Sequence, residues 1–321
     1  MKVLIRNLGV LKQAEFTLGD MTVICGENNT GKTYATYALF GFLSRWSDCL
    51  TIGIDSMSIE ELLKTGSTRI DISKFIDEAE TILEKGCRTY SQEVLASHVF
   101  ATSPERFKDA KFRVVLDPEK DIRFPEHFER KIQAVNADLF SITKDAGSSD
   151  LVITLLVEKN DVKVPKGAIS HFISNAIKQI LFGHLFPNPF IASAERTGAA
   201  IFRKELDFAR NRLIEEMGQS SKKTDPIKIL FKVYSDYALP VKENVEFTRQ
   251  LDSVVKQRSF IEEKYPTVLA DFSDIIGGEY TIAKNDTLYY APRGQHVKLS
   301  MGESSSAVRS LLDVGFYLRH V

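Results

Sequence analysis

The 321 residues predict an α/β fold in which an antiparallel β lead-in feeds a strand, a loop and a helix, and a helical arm interrupts the chain before strands return. Three observations carry this. The first 25 residues run in short apolar and β-branched stretches separated by Gly-containing turns; a Gly-bracketed octapeptide then opens onto a helical period; and mostly charged, helix-patterned sequence fills Ala199 to about Ile276. Composition sets bounds on function. Lys and Arg number 42 against 43 Asp and Glu, so the chain lacks the basic excess of a dedicated nucleic-acid binder, and contact with nucleic acid is possible but not indicated by charge. Cys25, Cys49 and Cys87 are widely spaced with no C-x-x-C, which points to neither a disulfide framework nor a zinc site. Charges interrupt "MKVLIRNLGVLKQAEF" too often for a signal peptide, and no apolar run approaches a membrane span. The expected setting is the cytoplasm, without a membrane partner.

Taken in order, "KVLIRNLGVLKQAEFTLGDMTVIC" reads as two or three strands with tight turns at Leu8-Gly9 and Gly19-Asp20. Met21 to Cys25 is apolar and β-branched, the pattern of a strand buried on both faces, with Cys25 inside it. Gly26-Glu27-Asn28-Asn29-Thr30-Gly31-Lys32-Thr33 fits G-x-x-x-x-G-K-[ST], and Tyr34 to Trp46 reads as a helix. Such an order lets backbone N–H groups turn inward on a phosphate at a helix N-terminus. Lys32 is placed to reach the β- and γ-phosphates and the Thr33 hydroxyl to bind Mg²⁺. ATP with Mg²⁺ is the expected ligand. Downstream, "MSIEELLKTG", "SKFIDEAETILEKG" and "AISHFISNAIKQILFGHLF" read as helices, "KFRVVL" and "LVITLLVEK" as strands, and "NPFIASAERTG" as a core strand running into a polar turn. Within the arm, "FRKELDFARNRL" and "SSKKTDPIK" are basic clusters, read as solvated faces or as a nucleic-acid patch. The final segment returns to strands, with turns at Lys284-Asn285-Asp286 and Pro292-Arg293-Gly294.

Leu299-Ser300-Met301-Gly302-Glu303 precedes a helical period through Val308, Leu311, Leu312 and Phe316. A helix N-terminus there offers N–H groups and the Ser300 hydroxyl to an anion, although a Ser-rich N-cap accounts for the same letters. In combination with the phosphate loop, the chain resembles ABC-type ATPases, and among them the SMC-like and overcoming-lysogenization-defect-like AAA ATPases of bacteria. Ile5-Arg6-Asn7, Gly26 to Thr33 and Leu299 to Glu303 stand in that family's order, with a helical insertion between the last two. The resemblance implies a P-loop NTPase of ABC/SMC-head type, divided as an N-terminal ATPase lobe over 1–198, a helical insertion over 199–276 and a signature segment over 277–321. It implies a homodimer joined head to tail around ATP, with Ser300, Gly302 and Glu303 facing the γ-phosphate held by the other copy. Backbone near Arg6 and Asn7 is expected to border the base. An effector protein, a nuclease or toxin in antiphage defence, is the implied partner.

The resemblance also implies a buried strand ending in Asp-Glu after the signature helix, where the Asp orients Mg²⁺ and the Glu polarises water. The chain stops at Val321, so these groups are expected from residues beyond it or from another chain, and catalytic residues stay unassigned. Asp117 and Glu119 after "FRVVL", Asp77-Glu78, and Glu195-Arg196 are the alternative acidic candidates. Gln92, Gln133 and Gln295 offer no sure metal-contacting glutamine, and His296 and His320 read as structural. Two other functions stay open: an ATP-responsive interaction module that does not hydrolyse, and a P-loop phosphotransferase using Asp117.

Overall fold

The computed structural model describes residues 1–116, 127–134, 137–156, 165–201, 237–283 and 287–321. Two units emerge, Met1–Ser97 with Thr102–Pro189, and His98–Ala101 with Phe190–Val321. Asp117, Glu119, the basic clusters at 202–213 and 220–228, and the turn at 284–286 lie outside the described residues.

In the first unit, β1 (Lys2–Leu8) and β2 (Leu11–Thr17) form the expected hairpin, in register from Lys2 opposite Thr17 to Leu8 opposite Leu11. Gly9 turns it at a φ of 57°, a conformation that costs other residues strain. The phosphate loop then leads into α1 (Lys32–Cys49), α2 (Ser56–Thr65), β3 (Ser67–Asp71), α3 (Ser73–Asp77) and α4 (Ala79–Thr89). A π-helix (Tyr90–Val99) and a 3₁₀ turn (Pro104–Phe107) precede β4 (Lys111–Val115), which pairs antiparallel with β1 to complete a sheet of order β2-β1-β4. β5 (Phe128–Ala134), β6 (Ala137–Lys144) and β7 (Asp150–Leu155) join β3 in a second antiparallel sheet, β3-β7-β6-β5, followed by α5 (Lys166–Phe182).

An aromatic core holds α1 in place. Phe42, fully buried, lies 5.0 to 5.4 Å from the rings of Phe112, Phe186 and Tyr90, and the Tyr90 hydroxyl donates to the Ala38 carbonyl at 2.6 Å. Burial of each such ring stabilises by about 2–3 kcal/mol. Lys178 of α5 donates to the Ser47 carbonyl in the last turn of α1 at 2.7 Å, a cation where that helix end is negative.

Two expected core strands do not form. Met21–Cys25 has no strand partner among the described residues; Met21 is 85% and Val23 72% exposed, and Cys25 is at the surface rather than buried. A strand buried on both faces needs neighbours along both edges, so apolar letters alone do not create one. Asn188–Gly198 is likewise no strand: its end becomes α6 (Arg196–Ile201). In place of a neighbouring strand, the Asn244 amide accepts from Ser193 N at 2.6 Å and donates to the Ile191 carbonyl.

The second unit continues with α7 (Leu239–Arg249), α8 (Leu251–Val254), α9 (Phe260–Lys264) and α10 (Pro266–Ile276). β8 (Gly278–Ile282), β9 (Leu288–Pro292) and β10 (Leu299–Ser300) make an antiparallel sheet of order β10-β9-β8, and α11 (Ser306–Ser310) and α12 (Leu312–His320) close the chain. Its core gathers Leu251, Ile276, Leu288, Tyr290, Met301, Val308, Leu312 and Phe316. The helical period expected after the signature therefore buries Val308, Leu312 and Phe316 as predicted.

Candidate functional site

The phosphate loop is built against the hairpin. Gly31, the residue before α1, has a φ of 96°, and a Cβ there would meet the Leu11 Cβ at 3.0 Å. A Cβ on Gly9 would run into the Tyr34 ring at 2.6 Å. These glycines let the hairpin turn and the first turn of α1 approach more closely than side chains permit. No side chain caps the N-terminus of α1, so its leading N–H groups and their partial positive charge face the loop.

The remaining loop residues, Gly26, Glu27, Asn28, Asn29 and Thr30, are exposed. Asn29 takes a left-handed φ of 62°, which reverses the chain, and Thr30 Oγ1 donates to the Glu27 carbonyl at 2.8 Å to close the turn. Lys32 folds back over it, with Nζ donating to the carbonyls of Gly26 at 2.6 Å and Glu27 at 2.5 Å. Its ammonium thus lies across the loop and satisfied by main-chain oxygens. Thr33 is exposed at the start of α1. The donor set fits a triphosphate with Mg²⁺: a lysine held at the loop, an uncapped helix end and an accessible hydroxyl.

Arg6 and Asn7 are on β1, beside this loop only through the hairpin. Arg6 is exposed and stands opposite Gln13 and Lys111, and Asn7 has a φ of 54°. Asn7, Gly9, Leu11 and Lys12 line an open groove of about 690 Å³ whose other wall includes Arg106, Lys108 and Lys111. The sequence reading did not single out that second wall, because its cations are spread over an otherwise ordinary turn.

In the second unit the signature residues form a tight turn. Ser300 is in β10 opposite Tyr289, Met301 is 5% exposed in the core, and Gly302 and Glu303 project from the surface. Burying Met301 anchors the turn by its middle residue. Glu303 Oε2 accepts from both Ser300 N and Ser300 Oγ at 2.8 Å. Those two bonds, the backbone one first, hold its carboxyl below the usual range. Arg309 reaches back to the Ser304 carbonyl at 2.7 Å and, at longer range, to those of Met301 and Gly302. Helix α11 starts at Ser306 and is capped by Ser305, whose hydroxyl accepts from Val308 N at 3.2 Å, so the N-cap is Ser305 and not Ser300. Two explanations of the same letters are therefore separated: the cap uses the serine run, and Ser300 stays outside it.

Of the other candidates, Asp77 and Glu78 are exposed at the junction of α3 and α4, and Gln92 is exposed on the π-helix. The His320 Nδ1–H donates to the Gln257 carbonyl at 2.9 Å, and its ring stacks on Phe316. Arg196 turns inward, donating to the Ser310 carbonyl through Nε and to the Ser193 carbonyl through Nη1 at 2.6 Å. Cys49 and Cys87 are buried, and burial foremost pushes their thiols up to about 12 and about 11. Among the described residues, no cluster of three or more His, Cys, Asp or Glu is arranged to hold a metal, and no helix is long and apolar enough to cross a membrane.

A mixed α/β unit with a G-x-x-x-x-G-K-T loop at an uncapped helix N-terminus defines a phosphate-loop protein of the ATPase type. The model of the AAA ATPase domain matches residues 1–181, more than half of the chain, and the chain belongs to that family. No curated protein and no solved structure matches it.

Proposed function

We propose that this protein is an ATPase of the ABC/SMC type that binds Mg-ATP at Gly26–Thr33 and associates head to tail around it. The observation that carries the reading is Lys32 held over the loop at the uncapped end of α1. Lys32 exchanges its two carbonyl partners for phosphate oxygens, and the backbone N–H groups of Gly31 to Thr33 orient the triphosphate. The Thr33 hydroxyl would hold the Mg²⁺, which would supply positive charge to the triphosphate. The nucleoside end enters the groove lined by Asn7 and Lys12, with Arg6 next to Asn7 on β1. Ser300, Gly302 and Glu303 of a second copy face the γ-phosphate. Support for this role comes from the exposed turn anchored by Met301, and from the resemblance of both motifs to the SMC-like and overcoming-lysogenization-defect-like ATPases. Transmission to a nuclease or toxin in antiphage defence rests on that resemblance alone.

Size-exclusion chromatography with light scattering, with and without Mg-ATP, tests the reading alongside nucleotide titration. Lys32→Ala is expected to weaken nucleotide binding by about 100-fold, the loss of a charge-assisted contact, and to abolish association. Ser300→Arg is expected to leave binding intact and to abolish association. If Ser300→Arg still associates on ATP, the signature turn is not in the interface. Phosphate release measured on the associated species separates a turning-over ATPase from an ATP-responsive module that does not hydrolyse.

A further inference from the structure

A carboxylic acid is buried in a part of the second unit that the proposed nucleotide chemistry does not use. Asp313, in the first turn of α12, is 1% exposed, and its Oδ2 has no hydrogen-bond partner among the described residues. Its Oδ1 lies 3.3 Å from Thr248 Oγ1 on α7, and that hydroxyl also lies 2.8 Å from the Asn244 carbonyl. A threonine hydroxyl has one proton to give. It can therefore donate to Asp313 or to the Asn244 carbonyl but not to both, and both contacts are bonded at once only if Asp313 itself supplies a proton. Arg196, the cation acting on Asp313, makes no ion pair with it, because its guanidinium is committed to the carbonyls of Ser310 and Ser193.

We propose that Asp313, Thr248 and Arg196 form a proton-operated latch joining the Ile191–Arg196 segment, α7 and the α11–α12 junction. With Asp313 protonated, a chain of hydrogen bonds runs from its O–H to Thr248 Oγ1 and from the Thr248 O–H to the Asn244 carbonyl. One turn away on the same helix face, Asn244 grips Ile191 and Ser193, and Arg196 ties that segment to Ser310. Loss of the proton leaves a buried anion that can take the Thr248 hydrogen only from the Asn244 carbonyl, and whose Oδ2 has no donor among the described residues. Arg196 is then drawn from the carbonyls to the carboxylate, and the hold on Ser310, which ends α11 after the signature turn, is released.

The surroundings agree. Burial pushes the Asp313 carboxyl up to about 6, against lesser lowering by the Thr248 hydroxyl and by Arg196. The elements packed against α12 carry charges of both signs, Lys242 and Glu243 on α7 among them. Arg249 on α7 is paired with Glu246; Arg309 on α11 is on the signature carbonyls; Asp274 on α10 is paired with Arg293. Asp252 on α8, Asp271 on α10, and Glu262 and Glu263 on α9 add negative charge to those elements, and Lys264 ends α9. The Tyr280 phenol on β8, which feels the Asp313 charge, donates to the Val308 carbonyl.

Amide hydrogen exchange of the full chain between pH 5 and pH 7.5, corrected for the intrinsic pH dependence of exchange, reads the latch without nucleotide. In wild type, peptides covering 189–198 and 306–313 are expected to lose at least fivefold in protection as the pH rises through about 6, while peptides of α1 do not change. Asp313→Asn, which can donate but cannot ionise, is expected to stay protected throughout. Equal pH dependence in the two proteins overturns the proposal. If Asp313→Asn does not fold, the wild-type comparison of latch peptides with α1 peptides decides, and parallel behaviour overturns it. The result is independent of whether Ser300 meets ATP.

Discussion

Glu303 holds its negative charge against the Ser300 N–H and O–H, the same donors that the proposed sandwich offers to a phosphate oxygen. Its carboxyl stays ionised well below neutral pH, so this internal anion is present wherever ATP is studied. In the proposed sandwich an incoming γ-phosphate exchanges with a carboxylate, and the Glu303 side chain is exposed enough to swing away. Glu303→Gln removes the charge while keeping the shape. The expected outcome is association at a severalfold lower ATP concentration, read by light scattering across an ATP titration. An unchanged midpoint means that Ser300 does not exchange partners on association. The Lys32 ammonium meets the same condition with neutral partners, since giving up two carbonyls costs less than giving up a charge.

At the scale of elements, the hairpin and α1 form one construction through Gly31. Gly31→Ala places a side chain at a φ of 96° and within 3.0 Å of Leu11, so a destabilisation of about 1–3 kcal/mol is expected, read as a lower midpoint in urea. Weakened nucleotide binding should accompany it, because the loop enters the helix at that residue; full stability would mean that the hairpin yields. The same elements mark what the sequence could convey. The phosphate loop, its helix, the hairpin and the amphipathic α12 were legible because local letters specify local geometry. Strands β5 and β6 were missed, since Glu129, Arg130 and Lys131 break apolar alternation and the sheet is settled by pairing with β7 instead. Met21–Cys25 was read as a core strand for the opposite reason: its composition suits burial, but pairing decides, and none of the described strands pairs with it. The Asn244–Thr248–Asp313 network spans 65 residues between Thr248 and Asp313 and 51 between Ser193 and Asn244, distances over which a single sequence carries no local pattern.

For the whole molecule, the division into two units separates two kinds of linkage. On the proposed function Mg-ATP acts on the unit that holds Gly26–Thr33, and at 100 times its dissociation constant it should stabilise that unit by about 2.7 kcal/mol. Protons act on the unit that holds Asp313. Its acid is weaker in the folded state, about 6, than its ordinary value of 3.8, so folding retains a proton that the unfolded chain gives up. Stability from this group is present in full below about pH 4, falls as the pH rises to about 6, and is level above that. The difference between wild type and Asp313→Asn in urea should therefore change by up to about 3 kcal/mol over that window. A difference that is flat with pH means that the buried acid titrates normally. Thiol chemistry divides the protein along another line. Cys49 and Cys87 are buried and, as weak acids, poorly reactive, whereas Cys25 is exposed and immediately precedes Gly26. The strand that did not form thus leaves a native attachment point for a fluorescent maleimide one residue from the phosphate loop, so occupancy of the loop can be followed by light in the unmutated chain.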